Sequence, residues 1–317
     1  MGFSDALASG VVVLDGGLAT ELEAQGNDLR DSLWSARLLR DDPAAVVAAH
    51  RAYFSAGAEV AITASYHASY GGFSRAGFTE AETTELLAGS VALAREAQPS
   101  GRRTFVAGSV GLFGVVWANG TEYTGDYAAA SDDMIAAEQR ARIATVAAAG
   151  PDLLAIETIP SGREASILGE LLTEVDVEAW VTFCCQDGAH LSDGTPLEDA
   201  IRAVTRTGRA VAVGVNCTPP QHIASLLDRA RAATDLPLVV YPNWGRVWNG
   251  YVRVAWGRRR WVLARPPRRL ATAGCCCDRR LLRHRTGSDR RHRQLGEGVN
   301  QLRPHGWSRA HELAEPV

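Results

Sequence analysis

The sequence predicts an α/β chain of the (β/α)₈ TIM-barrel class. Three observations carry that expectation. Seven short apolar runs recur between residues 11 and 243, and helix-like stretches separate them. Several runs are almost continuously apolar, as strands become when helices cover both faces of a parallel sheet. The span is also close to the roughly 250 residues such a barrel occupies. A doubly wound open sheet is the rival, but its dinucleotide-binding version wants G-x-G-x-x-G after the first strand. The run VVVLDGG (11–17) is not followed by that pattern.

The elements follow in order. VVVLDGG reads as a strand ending in a turn. DDPAAVVAAHRAYFSAG (41–57) reads as a helix, with Asp42 as cap, Pro43 in the first turn and Gly57 at the exit. AEVAITASY (58–66) is the second strand. Residues 79–98 form a helix opened by Thr79 and Glu82 at capping-box spacing. Strands follow at 104–111, 151–158, 178–184, 210–217 and 236–243, with helical patterns at 131–149, 163–174, 197–207 and 220–233. An eighth strand is due near 265–285 by the spacing of the others, and no readable one stands there.

Two regions divide the 317 residues: 1–250, the barrel, and 251–317, an anomalous arginine-rich segment. Charge marks the break. Residues 1–245 hold 16 arginines against 31 acids, or −15, while 246–317 hold 17 against 5, or +12. The chain has no lysine. An acidic body does not seek nucleic acid. No run of 18 apolar residues spans a membrane, and MGFSDALASG does not read as a secretory signal, so the expected location is cytoplasmic. The six cysteines fall as 184–185, 217 and 275–277. Adjacent cysteines make a poor disulfide framework, so metal binding or core packing is expected. Cys184 and Cys185 read as core residues.

In a barrel, chemistry gathers where strands end. The strand ends here carry Asp15, Thr63, Ser109, Glu157, Asn216, Cys217, Tyr241 and Asn243. Two carboxylates, amides and a thiol on one rim suit a small cationic group held beside a thiolate or a metal. Singly, each also fits a turn, a solvated acid or a packed cysteine.

Jointly the motifs are more specific. LDGGLATELEAQG (14–26), AITASYHASYGGF (61–73), GSVGLFGVVWANGTEYTGDY (108–127), LLAIETIPSGREA (153–165), HLSDGTPL (190–197), AVGVNCTPP (212–220) and LPLVVYPNWGRVWNG (236–250) resemble the homocysteine S-methyltransferase family, in family order. The resemblance is nearest to bacterial members that use S-methylmethionine or S-adenosylmethionine. It implies a zinc-dependent barrel that moves a methyl group from a sulfonium donor to homocysteine, giving methionine. It implies Zn²⁺ held by three cysteines, with Cys217 the first and a Gly-Gly-Cys-Cys pair after strand eight. Asp15 and Glu157 would hold the homocysteine ammonium, and Asn216 would shape the strand end beside the metal. The partners implied are small molecules; oligomeric state stays open. The chain departs from the pattern at Ala64, Trp244 and Arg246, and it contains no Gly-Gly-Cys-Cys.

Two readings of that absence compete. In one, Ala273-Gly274-Cys275-Cys276 is a degenerate copy, and Cys217, Cys275 and Cys276 complete the metal site. PPRRLAT before it would make a poor buried strand. In the other, the gene has lost its frame near residues 245–252. DRRLLRHRTG (278–287), written in GC-rich codons and read one nucleotide later, becomes Thr-Gly-Gly-Cys-Cys-Gly-Thr-Gly-Pro. A third reading makes the tail a genuine basic arm for an acidic partner. The alternative function is a non-catalytic amino-acid-binding barrel, or an inactive remnant with a basic tail.

Overall fold

A computed structural model of the protein describes residues 2–29, 34–117 and 120–243. Six strands form one sheet: β1 (Val60–Ile62), β2 (Phe105–Gly111), β3 (Leu153–Ile159), β4 (Ala179–Phe183), β5 (Ala210–Asn216) and β6 (Leu238–Tyr241). They lie in sequence order, and every neighbouring pair is parallel. The sheet curls into a half-barrel. Among the described residues, ten α-helices accompany it: α1 (Phe3–Ser9), α2 (Leu18–Ala24), α3 (Leu38–Asp41), α4 (Pro43–Ala56), α5 (Tyr70–Arg75), α6 (Glu80–Glu96), α7 (Asp132–Ala148), α8 (Gly162–Leu171), α9 (Leu197–Thr205) and α10 (Ile223–Ala233).

Six of the seven expected strands are present. The first, 11–17, is reduced to a single bridge between Leu14 and Val60. Backbone pairing is still there: Val13 O accepts from Glu59 N (2.7 Å) and Val60 N (3.2 Å), and Asp15 N donates to Val60 O (3.0 Å). The reason is the neighbour, since β1 offers only three residues to pair with. The eighth strand expected at 265–285, and the 251–317 segment with it, lie outside the described residues. The helix signals hold. Asp42 Oδ1 accepts from Ala45 N (3.0 Å), and Gly57 leaves α4 at φ 112°. Thr79 and Glu82 make the reciprocal capping box. The short helices α1, α2, α3 and α5 were not expected from the sequence.

Strand alternation sorts the two sheet faces. Val106, Val110, Leu154, Ile156, Val181, Val213 and Val240 pack outward with helix residues such as Ile143, Leu168, Ile201 and Leu226. The inner face begins with Val60, Phe105, Ala107, Leu153, Ala155, Trp180, Ala212 and Val239. Helix α1 closes this end, with the Phe3 ring 5.4 Å from Phe105 and 5.7 Å from Trp180. Two residues further along the strands, the same inner face turns polar: Ser109, Glu157 and Thr182, with Tyr241. The fold therefore puts an apolar floor under a polar mouth.

A buried charged cluster fixes the connection after β2. Glu164 Oε1 accepts from Phe113 N (2.6 Å) and Gln139 Nε2 (2.5 Å), and its Oε2 from the Tyr127 hydroxyl (2.8 Å). Arg142 donates to Gly111 O (2.7 Å), Tyr66 O (2.9 Å) and Gln139 Oε1 (3.1 Å). Arg142, Gln139 and Glu164 are fully buried. Removing the cation takes the donor from Tyr66 O and Gln139 Oε1 and one of two donors from Gly111 O, and leaves the buried Glu164 charge to its three hydrogen bonds alone. Arg142→Met is therefore expected to cost about 3–5 kcal/mol of stability. Urea unfolding checks this; a cost under about 1 kcal/mol would show that water reaches the cluster.

Candidate active site at the strand ends

The site is built from the C-terminal ends of β2, β3, β4, β5 and β6 and from the segment ending at Asp15. Glu157, the fifth residue of β3, faces the mouth and is buried. Its Oε1 accepts from Ser109 Oγ (2.5 Å) and its Oε2 from the Tyr241 hydroxyl (3.0 Å). Thr182 Oγ1 lies 2.9 Å from that same hydroxyl. Burial raises the Glu157 carboxyl above its ordinary pKa, and the two hydroxyl donors oppose the rise. Burial, and then the Glu157 charge, push the Tyr241 phenol up, so it keeps its proton to donate.

Asp15 is buried as well, with Oδ2 accepting from Ile62 N (2.8 Å). Its Oδ1 has no hydrogen-bond partner among the described residues. Burial raises its pKa well above the ordinary 3.8; the Ile62 N–H opposes this, and the nearby Glu157 charge adds to it. Two buried carboxyls, of which Asp15 is raised further by the Glu157 charge and keeps an orphaned oxygen, form a site suited to a cation.

Asn216 and Cys217 occupy the end of β5. Asn216 Oδ1 accepts from Thr158 N (3.0 Å), and its Nδ2 donates to Thr158 Oγ1 (2.7 Å). The Cys217 sulfur receives Asn216 Nδ2 at 3.6 Å and Thr158 Oγ1 at 3.7 Å. Thr158 (φ 65°) and Cys217 (φ 47°) both adopt left-handed backbone. For a β-branched threonine that conformation is strained, and such strain concentrates at functional sites. Here it turns both strand ends toward one sulfur. Asn243 Nδ2 donates to Cys217 O at 2.7 Å and pins the turn from the next strand.

Among the residues expected to act, the structure brings Asp15 and Glu157 into one electrostatic neighbourhood and joins Asn216 to Cys217. Cys275 and Cys276 lie outside the described residues. Among the described residues, no group of three or more His, Cys, Asp or Glu could hold a metal. Cys184 and Cys185 are buried, as expected of core residues. Burial pushes the Cys185 thiol up, the opposite of an activated nucleophile. Sequence reasoning missed Thr182 and the pairing role of Thr158. The usable signal was strand alternation, which puts residue 182 two places beyond inner-face Trp180.

The homocysteine S-methyltransferase family model matches residues 12–280. The chain belongs to the homocysteine S-methyltransferase family. A homocysteine S-methyltransferase of Escherichia coli is 44% identical over 243 residues, covering 74% of this chain and 78% of that protein. Homocysteine S-methyltransferase YbgG of Bacillus subtilis is 41% identical over 258 residues, covering 76% and 82%. The crystal structure of the homocysteine methyltransferase MmuM from E. coli, in a metallated form, superposes with a TM-score of 0.71 at 44% identity over 74% of this chain and 84% of that one.

In this homocysteine S-methyltransferase, the Cys217 sulfur lies at the end of β5 beside Thr158 and Asn216. It is partly exposed and receives two hydrogen-bond donors. No helix among the described residues is long and apolar enough to cross a membrane.

Proposed function

We propose that the chain is built as a zinc-dependent homocysteine S-methyltransferase on a (β/α)₈ plan, taking its methyl group from a sulfonium donor. The observation that supports this best is one rim carrying both a pair of buried acids, Glu157 and an Asp15 with one orphaned oxygen, and a doubly hydrogen-bonded thiol, Cys217. The acids take the substrate ammonium, and the orphaned Asp15 Oδ1 supplies an acceptor with no other duty. Asn216 turns the Cys217 sulfur into the mouth and lowers the cost of its negative charge. Cys217 would be one zinc ligand. The other two come either from Cys275 and Cys276 or from a cysteine pair lost with the reading frame. Zinc bound there supplies Lewis acidity that keeps a thiol deprotonated at neutral pH.

The transfer balances without a further cofactor. The homocysteine sulfur forms a bond to the methyl carbon as the donor's carbon–sulfur bond breaks. The breaking pair returns to the donor sulfur, whose positive charge is thereby lost, and the thiol proton ends in solvent. The protein's share is to fix the amino acid at its charged end, so that its sulfur meets the methyl in line.

The test is to supply homocysteine with S-methylmethionine, and separately with S-adenosylmethionine, and to measure methionine formed in zinc-containing buffer. Turnover with either donor supports the proposal and names the donor. Binding of methionine without turnover supports an amino-acid-binding barrel instead. Neither binding nor turnover marks a remnant.

A further inference from the structure

We propose that Tyr241 is a positioning residue for amino-acid binding, acting by holding the Glu157 carboxylate in a single orientation. The inference rests on the reading that Glu157 receives the substrate ammonium.

A carboxylate on a glutamate stem turns freely unless both oxygens are engaged, since its last torsion is broad. Here each oxygen has its own donor, and the donors come from opposite directions. Ser109 approaches Oε1 from β2 at 2.5 Å, and Tyr241 approaches Oε2 from β6 at 3.0 Å. Strands β2 and β6 are not neighbours, so the carboxylate plane is spanned across the inside of the curled sheet. Each donor is itself held. Ser109 N donates to Thr63 Oγ1 (2.8 Å), and Ser109 O accepts from Ser65 Oγ (2.8 Å). Thr182 Oγ1 lies 2.9 Å from the Tyr241 oxygen. Because the phenol has one hydrogen and gives it to Glu157, the threonine must donate to the phenol. The direction of that chain is therefore fixed: Thr182 to Tyr241 to Glu157. The carboxylate's remaining lone pairs are left aimed at the mouth, where a charged N–H donor gains most.

A double-mutant cycle on full-length, chelator-treated protein tests this, with L-methionine as the calorimetric probe. Tyr241→Phe keeps the ring and removes the donor. It is expected to weaken methionine about tenfold, the size of one hydrogen bond to a charged group. Glu157→Gln is expected to weaken it further. In the Glu157→Gln background, adding Tyr241→Phe should change affinity less than about twofold, because the phenol acts through the carboxylate. Effects that multiply would overturn the proposal and make Tyr241 an independent contact or a packing residue. If Tyr241→Phe does not fold, Thr182→Val replaces it in the cycle. It removes the hydroxyl that orients the phenol, and about threefold weaker binding, again absent without Glu157, is expected. A wild type that binds no methionine defeats the Glu157 reading itself, and this proposal with it. That outcome is distinct from a wild type that binds and a Tyr241→Phe that binds equally well.

Discussion

Purified full-length protein is expected to carry well under one equivalent of zinc, and the same chain with one base restored near codons 245–252 a full equivalent. The described residues supply one ligand of the proposed three, Cys217. A single thiolate cannot hold zinc against a chelator, because the strong apparent affinity of zinc sites, about 10–16 kcal/mol, is shared across the whole ligand set. The other two ligands must come from residues 244–317, where the charge reverses and the strand pattern stops. Residues 278–287, when written in chosen GC-rich codons and read one nucleotide later, spell a Gly-Gly-Cys-Cys sequence, a reading that the amino acids permit and do not force. Elemental analysis after chelation and gel filtration reads the result directly. A full equivalent in the chain as it stands, lost on Cys275→Ser, would make Cys275 and Cys276 the ligands and end the frameshift reading. In the restored chain, Cys217→Ser should remove the metal and turnover together. Sequencing the gene across codons 235–317 from original DNA decides the same question independently.

The fold was legible where local chemistry and tertiary demand agree. Pro43 between Asp42 and an alanine-rich run, or Thr79 three residues before Glu82, determine helix starts without help from the rest of the molecule. The first strand was over-read because its apolar run carries no information about its partners; with three residues of β1 to pair with, it narrows to a bridge. Helix α1 was missed for a related reason. Seven residues with a glycine at each end are marginal by propensity, and Phe3 is helical because the barrel floor beside Phe105 and Trp180 needs filling. At the site, the residue types at strand ends were readable, and with them the positions of Glu157 and Asn216 near the ends of their strands. Which groups pair with which was not. Thr158 and Asn216 are 58 positions apart, and Glu157 and Tyr241 are 84 apart. Only the curling of the sheet brings them to bonding distance. The buried Arg142 was beyond sequence reasoning altogether, since a charged residue in an exposed-looking helix reads as solvated.

Asp15→Asn is expected to make the ligand-free protein more stable at pH 7 while weakening amino-acid binding about a hundredfold. Asp15 sits in the protein with its carboxyl raised well above the ordinary 3.8, chiefly by burial and further by Glu157. The sign follows from linkage. A carboxyl whose folded pKa exceeds its unfolded value holds its proton longer in the folded state. Stability is therefore greatest below the unfolded value and falls as pH rises from there toward the folded one. Asparagine keeps the acceptor that Ile62 N requires and removes the charge, so the cost disappears. The melting temperature at pH 7 should rise by about 2–4 °C, the scale of 1 kcal/mol in a domain of about 150–250 residues. At about pH 3 and below, where Asp15 is mostly protonated in both states, the two proteins should melt together. Binding moves the other way. A substrate ammonium would spend the repulsion between Asp15 and Glu157, and the variant keeps only one of the two charges that meet it. Melting curves at pH 3 and pH 7, with L-methionine titrations at pH 7, separate the two effects. A variant that is both less stable at pH 7 and unchanged in binding would show that Asp15 is a packed turn residue. A stabilised variant that has lost methionine would show that this acid is kept at a cost to the fold because the ligand needs it.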